Sequence, residues 1–544
     1  MASKPMTDFA KPEVEAPSPP LWILAVVGIA VFIYRLFVAS SIGLFPDEFV
    51  YVWIGKNSLL TASPHPPGAA FLTRLGIGLL GHSELGARFF SAVLVTLAII
   101  PVYLLARQTG GRAAGFWAAF IFLLTPLYLY LGAVIPPDGP QVFFWAALLY
   151  MTYQALETRK IGWWLLAGLT AGLGLFVKYV VILYYPCLFL CLILAPDWRS
   201  QLRSPGLWAS IGLTILLFVP FNVWREYQMD WNAIRYHLSQ RHAYRPPTWS
   251  GVGRYYGYHA AFLSPLLYAG TLAAMVWSGI AGWRRRDRRL IFLFSFSSVV
   301  FLVFTVIVAV TAPMTSQEHW DAPAYMAAII ALVIWFRERL AAANAQRRRL
   351  LMAAGALTAG LMLLVNAGVV LEGLLALPTR LAGKGPAVIS MLGYAPMGPE
   401  TDRRFAVLPD AGNAFIIGNT FEEVFPLSFY ARVPKRYYTF RDSHDNRWGL
   451  RGMMERWGIF IDNIEKEIGH NALYVVDQPL EPRERFTRQL ESRLELLRAA
   501  FAEVKEEEPI IARQWGRDLR MFRIFRCLDL RRAVSFPARY SNRS

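Results

Sequence analysis

The chain has 544 residues, of which 55% are hydrophobic, and its mean hydropathy is +0.35. A soluble protein of this size would have a mean hydropathy near or below zero, so the composition excludes a soluble globular protein and indicates an integral membrane protein. The formal net charge is +17, but Lys and Arg cluster between apolar runs and form no basic stripe with interleaved aromatics, which argues against a nucleic-acid partner.

Eleven apolar runs are candidates for membrane-spanning helices, each of which needs about 20 residues to cross the hydrocarbon core. They are residues 21–43, 88–106, 113–132, 140–156, 162–177, 180–196, 206–224, 258–282, 290–311, 322–336 and 350–375. The first run is too long for a cleaved signal peptide and predicts an uncleaved first span. The fold class is therefore a polytopic α-helical membrane protein with about eleven spans.

Basic residues occupy alternate loops between these runs. The basic loops contain Arg107, Arg112, Arg159, Lys160, Arg199, Arg203, Arg284, Arg285, Arg286, Arg288, Arg289, Arg337, Arg339, Arg347, Arg348 and Arg349. By the positive-inside rule these loops are cytoplasmic. The two long loops 45–87 and 225–257 then face outward, and residues 1–20 form a cytoplasmic tail.

The outer loop 45–87 contains two segments, Phe49–Leu60 and Gly68–Leu80, that are predicted to be helices lying in the membrane interface. Beyond residue 376 the pattern changes to short strand-like runs, 414–417 and 472–476, and a charged helix-like stretch, Glu481–Glu508. The predicted organisation is a membrane domain over 21–376 and an extracytoplasmic α/β domain over 377–544.

Three carboxylates follow directly on apolar runs and are predicted to face the outer side. Asp47 and Glu48 follow the first run, and Asp138 follows the third. Each suits the first turn of a helix, so capping is one interpretation. The other is catalytic, because an ionisable group at a membrane boundary is costly to desolvate and one carboxylate there can act as a general base.

Other polar residues lie at the same predicted boundary. Lys178 ends an apolar run and either extends its ammonium to the interface or binds a lipid phosphate as a point charge. His65 is held in a proline-rich turn, and Arg235 lies in a loop suited to anionic headgroups. Glu318 and His319 open the tenth run, as an interfacial anchor or as part of a cavity.

Several short motifs together resemble a known family. They are Pro46-Asp47-Glu48, the aromatic pair Tyr51 and Trp53, His65-Pro66-Pro67, the segment 81–88, Pro137-Asp138-Gly139-Pro140, the segment 174–179 and the segment 320–325. This combination resembles the C-type (GT-C fold) polyprenyl-phosphate-sugar glycosyltransferases over about residues 20–340. That family includes protein O-mannosyltransferases, lipid A aminoarabinose transferases and rhizobial lipopolysaccharide galacturonosyltransferases.

The resemblance implies an inverting hexosyl- or pentosyl-transferase of the bacterial inner membrane, active on the periplasmic side. Its donor would be a sugar on a polyprenyl phosphate in the membrane lipid, and its acceptor lipid A, core oligosaccharide, another glycolipid or a protein. Asp47, with Glu48 and Asp138, would be catalytic. The donor phosphate would be bound by Lys178, His65 and Arg235, and the acceptor cavity lined by Glu318, His319 and Tyr51.

The sequence departs from the aminoarabinose transferases at two positions, with Pro64-His65 where they have Glu-Lys and Val50 where they have Arg. No organic cofactor is indicated, and a divalent cation at the phosphate remains an open prediction. Two alternatives are kept. One is a transporter or flippase of a lipid-linked precursor, which would show paired broken helices, internal symmetry and charges within spans. The other is a non-catalytic membrane subunit or a degenerate family member.

Overall fold

A computed structural model of the chain describes residues 18–57, 66–134, 137–231, 234–235, 249–310, 319–375, 393–433, 436–441, 450–480, 482, 484–514 and 517–533. The amino-terminal two thirds of this part is helical. Its helices are α1 Leu21–Ser41, α2 Pro46–Asn57, α3 Gly68–Leu80, α4 Glu84–Leu97, α5 Ile99–Gly110, α6 Arg112–Leu124, α7 Pro126–Ala133, α8 Asp138–Thr158, α9 Ile161–Val177, α10 Tyr184–Leu194, α11 Pro205–Gln228, α12 Trp249–Leu263, α13 Pro265–Arg285, α14 Arg288–Val310, α15 Ala322–Ala341 and α16 Ala345–Leu375.

Each of the eleven predicted apolar runs coincides with helical structure. Among the described residues, six helices are long and apolar enough to cross a membrane, counting α4 and α5 as the one span Glu84–Gly110. A seventh is the pair α6 and α7, which is bent by 58° at Thr125 because Pro126 cannot continue the helical hydrogen bonding. The protein is therefore a multi-pass membrane protein.

The outer surface of the bundle is apolar. On α1, Val26, Ile29, Ile33 and Phe37 recur at helical spacing, and each is at least half exposed. Because water would penalise such a stripe and hydrocarbon would not, this is the surface expected of a helix that faces lipid.

Three arginines in the described helical part of the chain are completely buried, namely Arg35, Arg88 and Arg225. Arg35 of α1 donates to the Thr96 hydroxyl at 2.6 Å and to the Tyr128 carbonyl at 3.2 Å. Gly132 lies against its guanidinium, where an added Cβ would come within 2.6 Å of Nε. Arg35 thereby joins α1 to α4 and to the bent helix α7.

Arg88 of α4 makes the densest set of polar contacts. Its guanidinium donates twice to Glu48, from Nε at 2.8 Å and from Nη2 at 2.5 Å. It also donates to the carbonyls of Ala39, Ile42 and Gly43 at 2.5–3.1 Å. One side chain therefore satisfies the free carbonyls at the end of α1 and fixes the first turn of α2.

The carboxy-terminal part is a small α/β domain with a five-stranded sheet. Its elements are α17 Met397–Ala406, β1 Phe415–Gly418, α18 Phe421–Tyr430, β2 Arg436–Thr439, α19 Leu450–Trp457, β3 Ala472–Gln478, α20 Glu484–Ala500, β4 Phe501–Gln514 and β5 Arg517–Leu530. The strand order is β2-β1-β3-β5-β4. The first three strands are parallel, and β5 is antiparallel to both of its neighbours. The two predicted strands at 414–417 and 472–476 are confirmed.

Successive residues of the central strands enter two separate cores. Phe415, Tyr474 and Val476 pack against α20, whereas Ile416 and Val475 pack on the side of α2. This alternation follows from the two-residue period of a strand. The sheet is therefore covered on both faces, with the membrane domain supplying part of one cover.

The predicted interfacial helix at Phe49–Leu60 needs a correction. Its described part is α2, and every residue of α2 from Glu48 to Gly55 is buried. Phe49 packs edge-on against Tyr394 and Phe429, and Trp53 stacks on Phe425 at 4.7 Å. Its apolar side chains are therefore matched by the carboxy-terminal domain, which a local sequence pattern does not reveal.

The predicted charged helix over Glu481–Glu508 is also only partly right. α20 ends at Ala500, and the chain continues directly as the edge strand β4. The charges of β4 are matched from the adjacent strand, where Arg523 holds Glu506 and Arg526 holds Glu507. Because these partners are distant in sequence, the local pattern resembled a solvated helix.

We expect the substitution R88M to destabilise the protein strongly, because it leaves the Glu48 carboxylate buried without its cation. Breaking such a pair costs about 3–5 kcal/mol. The double variant R88M/E48Q should recover part of this loss, since it removes the charge as well. Thermal unfolding in detergent measures the stability of R88M and of R88M/E48Q. Equal unfolding temperatures for the two variants would contradict the view that Arg88 stabilises the protein by neutralising Glu48.

A second prediction concerns pH. Burial, together with the nearby charge of Asp477, raises the pKa of Glu423 to about 8, and burial raises the pKa of Asp477 to about 6 despite Arg520. At these two carboxyl groups the folded domain binds protons more tightly than the unfolded chain, so the stability that they contribute is greatest at low pH and falls as the pH rises towards 8. The unfolding temperature of the wild type should fall between pH 5 and pH 8, and that of E423Q should fall less. An equal fall in the wild type and in E423Q would refute a raised pKa of Glu423 as the cause.

Candidate active site

Asp138, Lys178 and His319 come together from three separate segments. The Asp138 carboxylate is 4% exposed; one oxygen accepts a hydrogen bond from the Lys178 ammonium, and the other lies 3.4 Å from His319 Nε2. Lys178 also lies 5.9 Å from the centre of the Trp320 ring. The structure therefore assembles two of the predicted binding residues around one predicted catalytic carboxylate.

Local breaks in the helices place these side chains. Asp138 is the first residue of α8, after Pro137, and Gly139 packs so closely on α7 that an added Cβ would lie 2.5 Å from the Leu131 carbonyl. Lys178 has an extended backbone between α9 and the 3₁₀ turn Tyr179–Leu183. Asp138 and Lys178 therefore lie at the ends of α8 and α9 and not in the middle of either helix.

The adjacent carboxylates Asp47 and Glu48 have different environments. Glu48 is 2% exposed and is held by Arg88 and by the backbone N–H of Phe45 at 2.8 Å. Asp47, in the first turn of α2, is exposed. Because consecutive helical residues point about 100° apart, fixing Glu48 inward turns Asp47 outward.

Tyr130 connects the two groups of carboxylates. This half-buried phenol, on α7, interacts electrostatically with Glu48, Asp138 and Asp47 together. The carboxylates that follow the first and third apolar runs therefore share one region of the structure. No sequence argument singled out Tyr130, although it lies only eight residues before Asp138 at the end of an apolar run.

The remaining predicted residues are placed less centrally. Tyr51 is buried within the contact between α2 and the carboxy-terminal domain, and Arg235 is exposed beyond the end of α11. His65 and Glu318 lie outside the described residues. The roles of all four residues stay predictions.

A buried histidine supports the turn that carries His319. His259 of α12 is completely buried, and its Nε2 lies 2.7 Å from Asp321, whose other oxygen accepts from the Tyr325 hydroxyl at 2.9 Å. Asp321 directly follows Trp320, so this network anchors the segment beside Asp138. Sequence analysis did not single out His259, although a lone histidine inside the apolar run 258–282 is a signal that could have identified it.

A second buried network lies next to Lys178. Arg225 of α11 is completely buried, donates to the hydroxyl of Tyr179, and pairs with Glu226 at 3.0 Å. Since Tyr179 follows Lys178 directly, Arg225 holds the side chain of the residue next to that ammonium. Sequence analysis did not identify this arginine, because it lies among several arginines of the predicted outer loop.

Metal binding was considered for the same region. Within the described segments, no three His, Cys, Asp or Glu side chains are grouped so as to hold a metal ion. Lys178 already supplies a cation at Asp138. An ammonium has three donors, so Lys178 can hold Asp138 and still donate to an anion. The divalent cation stays a prediction.

Residues 64–224 match the family described as dolichyl-phosphate-mannose-protein mannosyltransferase. One similar protein, the undecaprenyl phosphate-alpha-4-amino-4-deoxy-L-arabinose arabinosyl transferase 1 of Pseudomonas fluorescens, is 28% identical over 218 residues, which cover 36% of this chain and 39% of that protein. The chain thus matches about two fifths of the length of this relative.

Two solved structures resemble almost the whole chain. ArnT from Cupriavidus metallidurans in the apo state superimposes with a TM-score of 0.63 at 15% identity, covering 93% of this chain and 97% of that one. Its complex with undecaprenyl phosphate gives a TM-score of 0.62 at the same identity and coverage. An agreement of this extent, which includes both the helical bundle and the carboxy-terminal domain, shows that the protein has the GT-C fold of these membrane glycosyltransferases.

Proposed function

We propose that this protein is an inverting glycosyltransferase that moves a sugar from a polyprenyl-phosphate donor to an acceptor of the bacterial envelope. The observation that carries the proposal is the grouping of Asp138, Lys178 and His319. Asp47 and Asp138 both lie within electrostatic range of Tyr130. The grouping combines a base, a phosphate-binding cation and supporting hydrogen-bond groups at one end of the bundle.

Asp47 is the proposed general base. It would take the proton from an acceptor hydroxyl or amine while the oxygen or nitrogen attacks the anomeric carbon of the donor sugar. The bond from that carbon to the phosphate oxygen breaks, and polyprenyl phosphate leaves with the bonding electrons. A single displacement of this kind inverts the anomeric configuration. Glu48, held inward by Arg88, is proposed to position Asp47 and not to touch substrate.

Lys178 is the proposed contact to the donor phosphate. As the phosphate leaves, negative charge increases on its oxygens, and a fixed ammonium stabilises that charge most in the transition state. Asp138 and Trp320 restrict the position of this ammonium. His319, on the second oxygen of Asp138, is proposed to line the acceptor side of the same cavity.

The similar proteins support a lipid-linked donor. The relative reported above is named for a sugar carried on undecaprenyl phosphate, and undecaprenyl phosphate is bound in one of the ArnT structures. We propose the same class of donor here. The proposed acceptors are lipid A, core oligosaccharide, another glycolipid or a protein.

We further propose that the protein lies in the inner membrane with its site facing the periplasm. Asp138 and Arg159 lie at opposite ends of α8, about 30 Å apart at the rise of an α-helix. The arginine end belongs to the basic loops, which the positive-inside rule assigns to the cytoplasm. On this orientation residues 1–20 are cytoplasmic, 21–376 cross the membrane, and 377–544 form a periplasmic domain.

The similar proteins give no support to the transporter alternative, although the bent pair α6 and α7 and the buried Arg35 inside α1 are features of the kind it predicts. The relative and the structures reported above are transferases. Among the described residues, Asp47, Asp138, Lys178 and His319 lie at or next to the ends of helices, whereas a transporter places its binding site near the middle of the membrane.

We expect D47N to lose the activity while the protein still folds. Loss of a general base lowers turnover about 10²–10⁴-fold. Mass spectrometry of envelope lipids and glycans from cells with the wild-type gene, a deletion and D47N is the measurement. One hexose-, pentose- or uronate-sized mass should disappear in both mutants.

D197N is the matched control for this experiment. Asp197 is also an exposed aspartate in the first turn of a helical segment, but it lies in one of the basic loops, at the end of the molecule predicted to be cytoplasmic. Cells that carry D197N should still show this sugar-sized mass in their envelope lipids or glycans. If cells with D47N also showed this mass, Asp47 would serve only as a capping residue in the first turn of α2, and its proposed role as general base would be wrong.

His259 should act as a positioning residue, so H259F is expected to lower kcat more than it raises KM. A displacement of about 1 Å in a reacting group is enough for about a hundredfold loss. H259Q, which can still donate to Asp321, should keep a larger share of kcat. Steady-state kinetics on folded protein test this, and an unchanged kcat in H259F would exclude the positioning role.

A further inference from the structure

A cleft of about 360 Å³ lies at the far end of α2, outside the group around Asp138. Its walls come from the last turn of α2, from β2, from the end of α19 and from the 3₁₀ turn Ile461–Glu467. Ligand pockets in proteins begin at about 300 Å³, so the cleft is large enough for a saccharide unit. The membrane domain and the carboxy-terminal domain both contribute to it.

Three cations from three separate segments line this cleft. They are Lys56 of α2, Arg436 of β2 and Lys466 of the 3₁₀ turn. Arg436 is matched by Glu467, whose carboxylate lies 3.1 Å away. Lys56 and Lys466 are exposed at the same cleft. Because like charges repel each other, such a convergence favours an anionic ligand.

The other walls of the cleft are aromatic. Trp53 and Trp457 have ring centres 5.9 Å apart, and Tyr437 stands edge-on to Trp53 at 6.1 Å. The Lys466 ammonium lies 5.9 Å from the centre of the Tyr438 ring. Large rigid rings offer apolar contact to the C–H faces of a sugar, and lysines bind phosphate or carboxylate as point charges. A saccharide that carries such an anion matches both kinds of wall.

One polar atom in the wall is also unsatisfied. The Trp53 indole Nε1 is buried and has no hydrogen-bond partner among the described residues. An indole N–H is a donor only, and most buried donors in proteins are paired. This donor belongs to a residue that lines the cleft, but the atom itself is buried and is not exposed at the cleft surface.

We propose that this cleft binds an anionic saccharide, namely the phosphorylated or carboxylated headgroup of the acceptor glycolipid. The proposal rests on the proposed transferase function and narrows its acceptor to an acidic glycolipid. Lys56 and Asp47 lie at opposite ends of α2, about 14 Å apart at helical rise. If the headgroup of the acceptor is bound at Lys56, the rest of the acceptor is held at a fixed distance from the base at Asp47. Binding of the non-reacting headgroup would then help to orient the reacting hydroxyl or amine.

The test is calorimetric binding of a bisphosphorylated glucosamine disaccharide to the full chain in detergent. We expect saturable binding, at least tenfold weaker binding of the same disaccharide without its phosphates, and weaker binding of inorganic phosphate. K56A/K466A should weaken the bisphosphate at least tenfold. K505A, which removes an exposed lysine from β4, should leave the affinity unchanged. W457A should weaken the disaccharide more than inorganic phosphate.

Three outcomes would overturn the proposal: no binding, equal affinity in K56A/K466A and the wild type, or inorganic phosphate binding as tightly as the disaccharide. In a transfer assay, K56A/K466A should raise KM for an acidic glycolipid acceptor at least tenfold with kcat retained, and an unchanged KM would refute the acceptor role.

The proposed function can fail separately. The probe does not react, so D47N should bind it like the wild type. Binding of the probe by a protein whose deletion changes no envelope glycan would refute the transferase and leave an anionic-saccharide site. Normal transfer without binding of the probe would refute the cleft alone.

Discussion

The contacts of Arg88 hold together the end of α1, the first turn of α2 and the start of α4. The guanidinium is completely buried, pairs with Glu48 through two hydrogen bonds, and satisfies three carbonyls at the end of α1. A buried charge is costly unless it is paired and hydrogen-bonded in this way. The consequence for function is geometric: with Glu48 held inward, Asp47 is directed outward at the start of α2.

α2 belongs to the membrane domain by sequence and to the carboxy-terminal domain by packing. Phe49 and Trp53 enter the core formed by one face of the sheet, while the first turn of the helix is held by Arg88. Its two ends therefore lie at two proposed sites, Asp47 at the proposed transfer site and Lys56 at the cationic and aromatic cleft. The carboxy-terminal domain thereby becomes part of the proposed acceptor path.

Buried polar networks support the segments that carry the proposed chemistry. His259 and Asp321 anchor the turn with His319, and Arg225 holds the side chain of Tyr179 beside Lys178. In an apolar interior a polar group without a partner is costly, so each such network has few alternative arrangements. That restriction is what holds groups from distant helices at hydrogen-bonding distance around Asp138.

The sequence by itself determined the membrane class, the positions of the apolar helices and the residues at their ends. These features depend on composition and on local periodicity, which a single sequence contains. It also singled out Asp138, Lys178 and His319 as site candidates, because they lie at the ends of apolar runs on the predicted outer side; their catalytic and binding roles stay predictions. Tertiary structure decided how they combine: that Lys178 and His319 share Asp138, that Glu48 is buried while Asp47 is exposed, and that α2 packs on the sheet. It also decided that Phe501–Gln514 is a strand. Each of these outcomes depends on a partner that is distant in sequence, such as Arg88 for Glu48 or Arg523 for Glu506, and local patterns contain no information about such partners.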